Sequence, residues 1–177
     1  MSSPAEASPE LELVYSPRRL VADAEVRLAE ETALSRTVRE RLSMIADLPY
    51  GEADCMRCDL FGPGPADPSA PVHVFLHGGF WRSRDKTDYS YIAEPLVGAG
   101  VTTLVANYGL CPAFSISAIV DQIVCLFHWL RAGAGDLGLQ PERLTASGHS
   151  AGAHLIAAAA ARSPELLEGQ QRLAHAT

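Results

Sequence analysis

Gly148-His-Ser-Ala-Gly152 is the segment that most constrains how this chain can fold. The run Arg143 to Ser147 before it reads as a strand, and the alanine-rich run Ala151 to Arg162 after it reads as a helix. A chain that leaves a strand and enters a helix through so sharp a turn needs glycine on both sides, because a Cβ there would strike neighbouring backbone. The turn lifts its central serine above the carboxyl edge of the sheet. The new helix aims its first N–H groups at whatever that hydroxyl attacks. Ser150 is therefore a candidate nucleophile, and the N–H of Ala151 a candidate donor to a developing oxyanion.

The rest of the chain alternates in the same way. Apolar residues from Leu20 to Ala46 recur at three- and four-residue spacing, which predicts an amphipathic helix or two short ones, ended by Asp47-Leu-Pro-Tyr-Gly51. Ala53 to Phe61, Val72 to Leu76 and Val101 to Ala106 read as strands, Tyr91 to Gly98 and Ile116 to Leu130 as helices. Strands separated by helices of this length imply crossover units and a mainly parallel sheet covered by helices on both faces, an α/β fold. At 177 residues and 47% hydrophobic, the chain has enough apolar material for one core. The expected organisation is a flexible arm over residues 1–19 and one domain over residues 20–177, with no internal repeat.

Charge excludes one class of function. Fourteen Lys and Arg against twenty-one Asp and Glu give −7, and an acidic chain with no basic face lacks the footprint that nucleic-acid binding requires. No run approaches the ~20 apolar residues of a membrane helix, so no membrane partner is expected. Met1-Ser-Ser-Pro-Ala-Glu6 carries no signal-peptide pattern, and the expected compartment is the cytoplasm. Cys55 and Cys58 form a C-x-x-C read as lying within a strand, where residues three apart face opposite ways and cannot share a metal. No metal and no cofactor are expected.

A second motif stands beside the first. His77-Gly-Gly-Phe-Trp81 follows the Val72–Leu76 run, where a serine hydrolase of this architecture holds the other half of its oxyanion hole. Gly78 and Gly79 let backbone approach the reacting oxygen, with donors expected from Gly79 and Phe80 alongside Ala151. His77 is expected to prop the loop. Phe80 and Trp81 are expected to line the pocket of an aromatic substrate. Arg82, Arg84 and Lys86, just beyond, are candidates to attract a substrate carboxylate.

These residues resemble the α/β-hydrolases, in particular the kynurenine formamidase (arylformamidase) branch and its esterase relatives. The resemblance runs from Tyr15-Ser-Pro17 through Tyr50-Gly51 and Asp59-Leu-Phe61 to Gly148-His-Ser-Ala-Gly-Ala-His-Leu155. Lipase-like esterases carry a third glycine after His-Gly-Gly and an acid before the serine. Phe80, Trp81 and His149 here are more like the formamidases, while Asn107-Tyr-Gly-Leu-Cys-Pro112 resembles a turn common to both. The resemblance implies a small-molecule substrate, an aryl formamide releasing formate or a short acyl ester, attacked by Ser150 with a histidine as base.

It also implies an acid and a histidine from strands well past the serine. After Ser150 this chain offers only Glu165, Glu168, His154 and His175. His154 lies one turn into the helix and is expected to diverge from the hydroxyl as a packing residue. His175 sits in a polar tail. His149 is expected to point into the sheet and His73 to stay within its strand. The fold implied by the resemblance would leave Leu144 to Gly148 as an edge strand with an uncovered apolar face, open to a second chain such as a homodimer partner. The expectation is a truncated or alternative product of a longer hydrolase. Two readings stay open: a formamidase-like serine hydrolase, and a catalytically inactive product that acts by association.

Overall fold

The computed structural model describes residues 21–62, 67, 69–133, 137, 139 and 143–167. Among these residues five strands form one mixed sheet in the order β1-β2-β4-β3-β5. They are β1 Met44–Pro49, β2 Arg57–Phe61, β3 Val72–Leu76, β4 Thr102–Ala106 and β5 Leu144–Gly148. Pairings of β1 with β2 and β2 with β4 are antiparallel, whereas β3 pairs in parallel with both β4 and β5. Four α-helices among the described residues flank the sheet: α1 Ala24–Arg41, α2 Ala93–Gly98, α3 Ile116–Arg131 and α4 Ala151–Arg162. A 3₁₀ helix, Lys86–Ile92, leads directly into α2. The arm expected over residues 1–19 lies outside the described residues.

Each face of the sheet has its own core. On one, Val72, Val74, Leu76, Leu104 and Leu144 meet Ile119, Ile123 and Leu126 of α3 and Leu155 of α4. Four of the apolar positions spaced along α3, Ile119, Ile123, Leu126 and Leu130, are at most 2% exposed, and Ser115 caps the helix by accepting from the Ala118 N–H. Burying one such side chain fully stabilises by about 1.5–3 kcal/mol. On the other face Phe61, Phe75 and Val105 pack against Tyr89 and Ala93. The run Thr102–Ala106 is buried throughout, as a central strand between two helical layers should be.

The segment before β2 differs from its sequence reading. The helix expected over Leu20–Ala46 stops at Arg41, and Met44–Pro49 is a strand. Pairing with β2 decides this: Met44 and Ile45 face Phe61 and Leu60, and tertiary pairing overrides a helical period that Leu42 and Ile45 continue by coincidence. Nor is α1 amphipathic in the expected sense. Only Ser35 and Val38 are buried, while Val26 and Leu34 are exposed. It docks instead through polar groups: Thr32 donates to Asp88 Oδ1, and Ser35 Oγ donates to the Asp88 carbonyl and accepts from the Tyr91 N–H. The strand read from Ala53 starts only at Arg57, so Cys55 lies in the turn before it and Cys58 is buried in the sheet. Among the described residues no group of His, Cys, Asp and Glu is arranged to hold a metal ion.

In the observed strand order β5 is the outer strand, with β3 as its one neighbour among the described residues. Its open face is polar rather than apolar as expected, because Thr145 and Ser147 are the exposed positions while Leu144 is buried under the opposite layer.

Candidate active site

The turn from β5 to α4 is strained at one residue. Ser150 has φ 49° and ψ −110°, a conformation that costs a non-glycine residue about 1–3 kcal/mol and persists where surrounding structure enforces it. Both flanking glycines are required by contact. A Cβ on Gly148 would lie 2.5 Å from the Gly152 carbonyl carbon, and one on Gly152 would lie 2.1 Å from the Leu76 carbonyl oxygen. The His149 N–H donates to Leu76 O at 3.1 Å, tying the turn to the end of β3. Ser150 is exposed at the top of the sheet.

The end of β3 supplies the facing loop. At Gly78 a Cβ would sit 2.6 Å from His149 Nδ1 and 3.1 Å from the His149 carbonyl oxygen, so a side chain there would displace the His149 ring. Gly79 has φ 120°, and its Cβ would meet Ser83 O at 2.0 Å. Phe80 and Trp81 both have φ 57°, two consecutive aromatic residues in the left-handed region. Bonds around them enforce it: the Arg82 and Ser83 N–H groups donate to Gly79 O, and the Cys111 N–H donates to Trp81 O at 2.7 Å. The N–H groups of Gly79, Phe80 and Ala151 have no acceptor among the described residues. They are spare donors at the mouth of the turn, Ala151 because it begins a helix.

His77 is 1% exposed beneath this loop. Its Nδ1–H donates to Gly78 O at 2.6 Å, and the ring stacks on Tyr108 with centroids 4.3 Å apart. The Tyr108 hydroxyl donates to the His77 carbonyl at 2.6 Å. Burial holds the His77 imidazole below its ordinary pKa, against a smaller opposing effect of the Gly78 carbonyl. The ring is therefore neutral near pH 7, with Nε2 a buried acceptor that has no partner among the described residues. Trp81 stands edge-on to His154 at 5.1 Å, and Phe80 is 56% exposed.

The loop's far end is pinned by charge. Lys86 Nζ donates to Asp59 at 2.7 Å and Asp47 at 2.8 Å, and Arg39 also pairs with Asp59. Asp59 is wholly buried and Lys86 nearly so. Burial works against the charge on Lys86, and the bonds from Asp47 and Asp59 outweigh it, so its pKa lies above the ordinary lysine value. Asp85 caps the 3₁₀ helix and accepts from Asn107 Nδ2 at 2.6 Å, while Asn107 Oδ1 accepts from the Lys86 N–H. Lys86 is thus unavailable to a substrate carboxylate. Arg84 is committed too, lying over the Tyr89 ring between Asp88 and Glu31. Only Arg82 of the three expected cations is exposed. Sequence reasoning missed Lys86 as an anchor, although Asp59 inside an apolar strand signals a buried cation nearby.

No described histidine bonds the Ser150 hydroxyl. His73 bonds Thr145 and Ser147, His77 bonds Gly78, His149 meets the Tyr89 hydroxyl, His154 packs on Trp81 and His128 lies 3.9 Å from Glu165. His149 is exposed over Gly78 rather than turned into the sheet as expected. His175, the remaining histidine of six, and Glu168 lie outside the described residues. A groove of about 510 Å³ between α1 and Ser83, Arg84 and Asp88 includes neither Ser150 nor Phe80. Backbone geometry, not concavity, marks the site.

The chain is similar to several known proteins. The BD-FAE family model matches residues 58–176. Kynurenine formamidase from Danio rerio is 32% identical over 157 residues, covering 84% of this chain and 51% of that protein. The Drosophila melanogaster kynurenine formamidase is 30% identical, covering 80% and 46%, and the esterase LipU of Mycobacterium tuberculosis 33%, covering 76% and 42%. Among solved structures, a proposed thioesterase from Silicibacter superposes with a TM-score of 0.72 at 29% identity, over 84% of this chain and 55% of that one. Esterase B from Lactobacillus rhamnosis shares the fold with a TM-score of 0.63 at 19% identity, over 81% and 50%. The chain spans about half the length of the curated relatives it matches. It belongs to the BD-FAE family, within the formamidase-like α/β-hydrolases.

Proposed function

We propose that this chain carries the nucleophile and oxyanion side of a serine hydrolase that acts on aryl formamides or short acyl esters. The observation that carries the reading is Ser150 held at φ 49°, ψ −110° between β5 and α4, beside spare N–H donors from two segments. Ser150 Oγ attacks the formyl or acyl carbonyl, and the oxyanion takes hydrogen bonds from Gly79, Phe80 and Ala151. Losing one such donor costs about 3 kcal/mol of transition-state stabilisation. His77, fixed by Tyr108 and Gly78, holds the loop in place. Phe80 and Trp81 give the mouth an aromatic wall. Kynurenine formamidases among the relatives support the aryl formamide, and LipU supports the ester.

The proton on Ser150 needs a base, and every described histidine is engaged elsewhere. General-base catalysis contributes about 10²–10⁴ in rate, so without one Ser150 is expected to acylate slowly and to turn over poorly. The test is incubation with p-nitrophenyl acetate followed by intact mass and site mapping. An acetyl group mapped to Ser150 and absent from that position in Ser150→Ala supports the reading; an unmodified Ser150 contradicts it. N-formylkynurenine turnover by this chain that Ser150→Ala abolishes would mean that the base is present after all.

A second reading, an inactive product that works by association, draws on the outer position of β5. Unpaired strand edges pair with other chains. A stable homodimer that leaves Ser150 unmodified would favour it.

A further inference from the structure

A second hydroxyl–imidazole pair lies on the sheet, away from the Ser150 turn. His73 of β3 is opposite Thr145 of β5, and Phe75 is opposite Ser147. Alternation along each strand therefore places His73, Thr145 and Ser147 on one face. The His73 ring spans the gap, with Nδ1 2.8 Å from Thr145 Oγ1 and Nε2 2.8 Å from Ser147 Oγ. The Thr145 hydroxyl also lies 3.3 Å from the Val72 carbonyl. In the tautomer in which it donates there, it accepts from the imidazole Nδ1–H, and Nε2 presents a lone pair to which the Ser147 hydroxyl donates.

We propose that Ser147 is a second acylatable serine of this chain, with His73 as its base and Thr145 as the residue that fixes the ring tautomer. Nucleophile, base and orienting acceptor lie in sequence within hydrogen-bond reach, the arrangement that activates a serine hydroxyl. Thr145 and Ser147 are exposed, so a small reagent reaches the hydroxyl. Burial lowers the His73 pKa, which keeps the ring neutral and able to take a proton near pH 7. The ligands it takes are small activated acyl and phosphonyl esters. With an alkyl fluorophosphonate, a Ser147 Oγ–P bond forms as the P–F bond breaks and fluoride leaves. The serine proton passes to His73 Nε2 and from there to water. The product is a stable serine phosphonate, formed once per chain.

The experiment uses Ser150→Ala throughout, so its outcome is independent of the function proposed for Ser150. The protein is treated with the fluorophosphonate, and the tryptic peptide of residues 144–162 is fragmented to locate the adduct. The expected result is phosphonylation of Ser147, slowed ~100-fold by adding His73→Gln, in line with the loss of a general base. Adding Thr145→Val, which keeps the side-chain shape and removes the acceptor for Nδ1–H, is expected to slow it as well, and it serves as the readout should His73→Gln fail to fold by circular dichroism. An unmodified Ser147, or a rate that the folded variants leave unchanged, would overturn the proposal.

Discussion

Lys86→Met removes the charge that holds the base of the oxyanion loop while keeping most of the side chain's apolar volume. Asp59 then loses its 2.7 Å bond from Nζ and keeps Arg39 and the Asp47 N–H at 2.9 Å. Removing one member of a buried ion pair costs about 3–5 kcal/mol because it strands the other charge. Since Arg39 remains beside Asp59, the lower end applies, about 3 kcal/mol. The lost pair with Asp47 adds little, because that carboxylate is 71% exposed. For a chain of this size, 1 kcal/mol moves the melting temperature by about 2–4 °C, so Lys86→Met is expected to melt roughly 9 °C lower. Circular dichroism melts at pH 7 measure it. Adding Asp59→Asn removes the stranded charge and is expected to restore part of the loss. A single variant within about 2 °C of the parent, or no recovery in the double variant, would refute the reasoning that this cluster is a structural anchor.

Other perturbations probe the turn and the loop. Ser150→Gly relieves the left-handed strain and is expected to stabilise the fold by about 1 kcal/mol, seen as a higher melting temperature, while abolishing acylation. Gly152→Ala drives a Cβ to 2.1 Å from Leu76 O; about 2–3 kcal/mol of destabilisation and loss of Ser150 acetylation are expected. Tyr108→Phe removes the donor to the His77 carbonyl, costing about 1 kcal/mol and raising hydrogen exchange at residues 78–83. Acid should destabilise the fold early. Burial lowers the pKa of both His73 and His77, so the stability they contribute is complete above the ordinary histidine value of about 6.5 and declines as pH falls below it. Melting temperatures between pH 7.5 and 5.5 should show that decline, and it should be smaller in His73→Gln.

The two motifs were readable because their chemistry is local. Gly148, Ser150 and Gly152 specify a turn by what a Cβ would strike, and that argument needs only a strand before and a helix after. Gly78 and Gly79 yield to the same logic. Elements settled by distant partners were not readable. Met44–Pro49 pairs with β2 although its own pattern continues a helical period, and α1 docks through Thr32, Ser35 and Arg39, with Val38 its one buried apolar residue. Lys86 looked like a loop cation, since nothing within ten residues announces that Asp59 lies buried beneath it. The open face of β5 was expected to be apolar. Its alternation of Thr145 and Ser147 with Leu144 and Ala146 indicates otherwise once the register with His73 is known.

The central claim is that Ser150 is the nucleophile of a hydrolase site. It is tested most directly by the position of the acetyl group left by p-nitrophenyl acetate on the 177-residue chain, read by fragmentation of the 144–162 peptide. Acetyl-Ser150 is expected on the parent chain, lost in Ser150→Ala and lost with Gly152→Ala. An unmodified Ser150 in a folded chain would contradict it.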